Sequence, residues 1–182
     1  MQGEHASDPE NHLIATDVPG CVPPRWFDRL NDAGVDHRVL FVDQLVFDER
    51  TMLKCRYSCP AWGCRWTCCP ESWGPKELIP LLRRYCRVVV LSGTDGLQLC
   101  REALALERAA FAGGCRWALA VSVTPCSTCG PCTYPEGECR HKADFRPESA
   151  MAGIDSLATM DALGIPRQVG GSWTRVSYVF LD

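Results

Sequence analysis

The chain has 182 residues, a formal net charge of -3 and thirteen cysteines. That length buries a hydrophobic core in one domain without staples, and a near-neutral charge with scattered Lys and Arg excludes the basic footprint of a nucleic-acid binder. The cysteines are odd in number and fall mostly into two short clusters, which points away from a disulfide scaffold and towards metal or redox chemistry.

Residues 1–20 are polar and acidic, with no apolar run to serve as a secretory signal or membrane span. They read as a flexible leader, followed by a single domain over 21–182 in a cytoplasmic, reducing setting. After Pro23-Pro24, a short helix from Arg25 would set Trp26, Phe27 and Leu30 on one side and stop at Gly34. His37 to Val42 and Gln44 to Phe47 read as strands, or as one bent strand. Cys21 and His37 have the character of packing or surface residues.

The first cluster is Cys55-x3-Cys59-x4-Cys64-x3-Cys68-Cys69, five thiols in fifteen residues. Pro60, Gly63 and Pro70 forbid a continuous helix, so the segment is expected to wrap a small guest as a loop. Cys68 and Cys69 point in different directions from an extended backbone, so one of the two reaches a shared metal. Trp62, Trp66 and Trp73 would wall the site, or simply pack in the core.

Next, Pro75 suits the first turn of a helix running towards Cys86, with Pro80 implying a kink or a later start. Arg87 to Leu91 is a buried strand. Residues 96–112 form a helix stopped by Gly113-Gly114, with Leu97, Cys100, Leu104 and Phe111 on one stripe and Leu99, Ala103, Leu106 and Ala110 on the next. Cys100 is accordingly expected to face the core. Trp117 to Val123 is a second buried strand, which completes a strand-helix-strand stem leading into the second cluster. Cys86, Cys100 and Cys115 lie on these regular elements as small hydrophobes.

The second cluster is Cys126-x2-Cys129-x2-Cys132, closed by Cys139 and followed by Arg140-His141. Short spacings of this kind let successive thiolates splay over the corners of a compact iron-sulfur cubane. Zinc held by Cys126, Cys129, Cys132 and either Cys139 or His141 is the rival reading. Beyond the cluster, a helix is expected from Arg146-Pro147-Glu148 to Gly164. Gly170-Gly171 would make a turn, and Thr174 to Leu181 a final strand. The fold class is α+β, a small mixed sheet with packed helices and two cysteine-rich loops.

The order of features resembles an uncharacterised bacterial and archaeal family of predicted metal-binding proteins. The likeness rests on Lys54-Cys55-x3-Cys59-Pro60, Trp66-Thr67-Cys68-x-Pro70, Pro125-Cys126-x2-Cys129-x2-Cys132 with Cys139-Arg140-His141, then Arg146-Pro147 and Gly153-Ile154-Asp155, and covers roughly residues 40–165. It implies metal or iron-sulfur binding without a settled reaction. The chain departs from the family where Cys-Pro-Pro becomes Cys68-Cys69-Pro70, where Cys64 is an extra thiol, and where Ala150 replaces an acidic residue.

The expected function is therefore binding of one or two 4Fe-4S clusters for single-electron transfer to a redox partner protein. One cluster would sit on Cys55, Cys59, Cys64 and either Cys68 or Cys69, the other on Cys126, Cys129, Cys132 and Cys139. The alternatives are a zinc-stabilised interaction module, or an enzyme whose first cluster is held by Cys55, Cys59 and Cys68 alone. In the second case the free iron would bind substrate, with Arg56, Arg65, Arg140 and Arg146 available to position an anion.

Overall fold

In chain order the regular elements are α1 (Arg25–Asp32), β1 (Asp36–Phe41), α2 (Thr51–Ser58), α3 (Pro75–Leu82), β2 (Arg87–Gly93), α4 (Gly96–Ala112), β3 (Leu119–Val121), α5 (Ser156–Ala162), β4 (Gln168–Val169), β5 (Ser172–Trp173) and β6 (Arg175–Leu181). The computed structural model describes residues 19–182, and the expected leader up to residue 18 lies outside them.

The fold is α+β. Its main sheet has the order β1-β2-β6-β3. Every pairing in it is antiparallel, where a mixed sheet was expected, because β6 inserts between β2 and β3. The strand-helix-strand stem is thus real but split, its two strands running parallel on either side of β6. The small β4-β5 hairpin turns at Gly170 and Gly171, both at positive φ.

Strand alternation builds two cores from one sheet. Val88, Val90, Tyr178 and Phe180 face Leu82 of α3 and Met160 of α5. On the other face Val89, Leu91, Val179 and Leu181 meet Leu30 of α1 and Leu99, Ala103 and Leu106 of α4. Each fully buried large aliphatic side chain stabilises the fold by about 1.5–3 kcal/mol. Neither of these two core clusters includes a thiol from the two cysteine segments, although Cys68 and Cys69 are buried outside them.

Local details correct several expectations. Asp95 caps α4 by accepting from the Leu97 and Gln98 N–H groups, but only the Leu99, Ala103, Leu106 and Ala110 stripe is core. Leu97 is 50% and Phe111 63% exposed. Cys100 lies half-buried on the rim, its Sγ 3.4 Å from Thr124 Oγ1, and does not face the core. Residues 42–44 form a 3-10 turn, and Phe47 makes only an isolated bridge to Ile154. β3 is also shorter than expected, and Trp117 is 65% exposed. Helix α3 starts at Pro75, carries Pro80 inside and ends at Leu82, short of Cys86.

The helix expected from Arg146 begins only at Ser156, where Asp155 caps it through Ala158 N–H. Tertiary partners capture the preceding backbone instead. Ser122 N–H donates to Pro147 O, Ser149 N–H to Ser122 O, Asp48 N–H to Gly153 O and Asp155 N–H to Val46 O. Gly153 turns the chain at φ +77°. Arg146 pairs with the buried Glu107 carboxylate, which also accepts from Ala120 N–H, so α4, β3 and this segment are tied together.

Cys21 and Cys115 are joined as a disulfide with Cα atoms 5.6 Å apart. A separation of 94 residues hid this pair in the sequence. Among the described residues no helix is long and apolar enough to cross a membrane.

Candidate metal centre

The first cysteine segment is not all loop. Cys55 lies on α2, and Cys59 is its C-cap, with its N–H on the Cys55 carbonyl at 3.2 Å. Four residues apart, they occupy one helix face. The chain then reverses. Gly63, at φ +69°, donates its N–H to Cys68 O at 2.9 Å, and a 3-10 turn at Trp66–Cys68 returns the backbone. Cys68 is thereby carried to within electrostatic reach of both Cys55 and Cys59.

The other two thiols have partners of their own. Cys64 is exposed, its Sγ 3.6 Å from Trp62 O. Cys69 is buried against Ser72 Oγ and Trp66 O, and both thiols act on Tyr134. Adjacent Cys68 and Cys69 thus have different neighbours, Thr67 for the one and Ser72 and Trp66 O for the other.

Electrostatics around the trio are those of crowded acids. Burial pushes the Cys55 thiol up to about 12, with Glu148, Cys59 and Cys68 adding to the effect. Burial likewise pushes Cys68 up to about 11. The Thr67 hydroxyl opposes that rise, Glu148 and Cys59 reinforce it, and Arg65 lowers it. The Glu148 carboxyl is itself raised by burial. Sequence reading missed Glu148, whose only signal was an acidic residue directly after Arg146-Pro147.

The second segment docks directly on the first. Arg65 donates to Cys126 O, Cys126 N–H donates to Thr67 Oγ1 at 3.2 Å, and Trp66 Nε1 donates to Gly137 O at 3.1 Å. Trp66 also meets Tyr134 edge-on at 5.1 Å, and Tyr134 donates to Glu71 at 2.8 Å. Of the expected tryptophan wall, then, Trp66 serves the second segment, while Trp73 is 63% exposed. Arg140 pins Pro131 O at 2.7 Å, and Gly137 N–H reaches Thr133 O, closing the stretch between Cys132 and Cys139.

Cys126, Cys129, Cys132 and Cys139 are all half-buried. Desolvation works to raise the Cys132 thiol, but backbone N–H groups of Tyr134, Trp66 and Thr133 and the charge of Arg65 bring it below its ordinary value. N–H groups aimed at a sulfur suit a thiolate bound to a cluster. Among the described residues, no group of three or more His, Cys, Asp or Glu side chains is placed to hold a metal ion.

The four arginines have distinct places. Arg65 and Arg140 hold loop carbonyls, Arg146 is taken by Glu107, and Arg56 lies over the Tyr57 ring.

Fold and site together define an α+β domain that presents two docked cysteine-rich segments. The chain belongs to the family described as "Predicted metal-binding protein (DUF2284)", whose match spans residues 38–181. No curated protein and no solved structure matches it.

Proposed function

We propose that this metal-binding protein is an iron-sulfur protein with two four-iron clusters that passes single electrons to a partner enzyme. Cys55, Cys59 and Cys68 hold the first cluster. Cys126, Cys129, Cys132 and Cys139 hold the second.

The observation that carries this reading is the docking of the two segments through Arg65, Thr67 and Trp66. It sets the segment bearing Cys55, Cys59 and Cys68 beside the C-x2-C-x2-C run, with one guanidinium acting on Cys68 and Cys132. The donor set suits the guest. Thiolates splayed along a short run meet separate irons of a cubane, and N–H groups directed at Cys132 favour the anionic, ligated sulfur. A bound four-iron cluster takes up and releases one electron at a time. The protein's part is to supply thiolates, exclude water from Cys68, which is 4% exposed, and hold a cation between two anionic centres.

The test is the iron, acid-labile sulfide and zinc content of protein prepared without oxygen. Iron and sulfide in equal amounts, with visible absorption that dithionite bleaches, are expected. Zinc without sulfide would replace this reading with that of a zinc-stabilised module.

A further inference from the structure

Outside both cysteine segments, the place where β1 ends and β2 begins carries two guanidiniums without an anion. Phe41 and Arg87 are direct neighbours in the β1-β2 ladder, and the Arg87 guanidinium lies over the Phe41 ring, 3.7 Å from its centroid. Arg83, at the C-cap of α3, lies over the Phe47 ring at 5.2 Å. All four residues line one cavity of about 400 Å³. A strand ladder and a helix end thus fix the two cations, each braced by a ring.

Both are positioned but not neutralised. Among the described residues neither arginine forms an ion pair. Arg87 Nε is buried with no hydrogen-bond partner, a state that folded proteins almost always avoid. Stacking on a ring engages the face of a guanidinium and leaves its fork of N–H groups for a planar or tetrahedral oxyanion. Of the carboxylates, Asp43 lines the cavity but is exposed and pairs with neither arginine. Asp182 accepts from Cys86 N–H instead, at 3.4 Å. Two cations therefore face one carboxylate, and Val42, Leu45 and Phe47 supply an apolar wall beside them.

We propose that this cavity binds a small organic molecule through an oxyanion head, phosphate or carboxylate, held between Arg83 and Arg87. The Arg87 fork, Nε included, donates to the head, Arg83 supplies the second cation, and the apolar wall takes the body of the ligand. A bare inorganic ion would leave that wall uncovered and binds more weakly. The site uses no residue of either cysteine segment, so it stands whichever metal those segments hold.

The test titrates the full chain with phenyl phosphate, benzoate, inorganic phosphate and the uncharged control benzyl alcohol, by calorimetry at fixed ionic strength. Phenyl phosphate or benzoate is expected to bind more tightly than inorganic phosphate, with benzyl alcohol inert, and the tighter of the first two identifies the head. Cys86, an exposed thiol on the same cavity, gives a second readout. The bound ligand is expected to slow its alkylation by iodoacetamide, followed by mass spectrometry, and to leave the exposed Cys64 unaffected. Arg87→Gln and Arg83→Gln are each expected to weaken binding by about tenfold or more. Arg87→Lys, which keeps the charge and loses the fork, should recover only part. Arg84→Gln, which removes an exposed cation outside the cavity, should bind as wild type does. Folding of each variant is checked by far-UV circular dichroism, and if Arg87→Gln does not fold, Arg83→Gln decides. Absence of binding by both aromatic anions at millimolar concentration overturns the inference. So does binding that survives in the folded Gln variants, or that falls equally in Arg84→Gln.

Discussion

The guanidinium of Arg65 donates from Nη1 to the carbonyl oxygen of Cys126 at 2.6 Å. A residue of the first cysteine segment thus fixes the entry to the second, and its charge lowers both Cys68 and Cys132. Replacing Arg65 with Gln removes that charge. In metal-free protein, Cys132 then ionises at higher pH and is alkylated more slowly by iodoacetamide near neutrality, as read by mass spectrometry. In loaded protein the midpoint potentials move to more negative values. Arg65→Lys restores the charge without the fork geometry and recovers only part of each effect. Unchanged alkylation and potentials in Arg65→Gln would remove Arg65 from the site.

Serine substitutions test which thiols of the first segment hold metal. Cys55→Ser, Cys59→Ser and Cys68→Ser should each lower iron and sulfide by up to about half, one of two clusters. Cys64→Ser and Cys69→Ser should leave both counts at the wild-type level. Loss of iron in Cys64→Ser would restore the fourth-cysteine arrangement suggested by the sequence.

The raised thiols make the metal-free fold sensitive to alkali. Cys55 stands at about 12 and Cys68 at about 11 when folded, against an ordinary value of 9.0. Folding therefore favours their protonated forms. The resulting stability is fully present below about pH 9 and is lost as pH climbs towards 11 and 12. Urea midpoints of metal-free protein should fall over that window, and the fall should be smaller in Cys55→Ala. Metal loading, which needs thiolates, should strengthen as pH rises from about 6 to 8 with release of protons, measurable by calorimetry in buffers of different ionisation enthalpy.

Gly153 is the position where the segment bearing Glu148 turns. Its φ is +77°, and an added Cβ would fall 2.6 Å from Ile79 Cδ1 and 2.9 Å from Pro75 Cβ. Gly153→Ala should destabilise the protein by roughly 1–3 kcal/mol, from the left-handed backbone and the displaced α3 side chains. A urea midpoint equal to that of wild type would show that the turn relaxes freely.

Much of the scaffold was legible in the residues. The apolar run at 87–91, the stripe Leu99, Ala103, Leu106 and Ala110, and the alternation through Val176, Tyr178 and Phe180 all became β2, α4 and β6. Their periods state which face is buried, and burial dominates their energetics. The segment 146–155 was misread because its composition suits a helix, while partners distant in sequence, such as Ser122 and Asp48, take its hydrogen bonds. Cysteine spacing located both segments. It did not reveal the local partners of Cys64 and Cys69, because those depend on Gly63 and the 3-10 turn. Glu148 and the Cys21–Cys115 pair were invisible for the same reason, since each is made by a contact across the fold.

Strand β6 lies between β2 and β3, yet it is synthesised after both, and after every cysteine in the chain. Until residues 175–181 leave the ribosome, the two flanking strands have no partner between them and the docked segments have no finished platform. Loading of a metal into the folded site would consequently follow the synthesis of residues 175–181. A nascent chain stalled before β6 should expose its thiols to scavenging or oxidation.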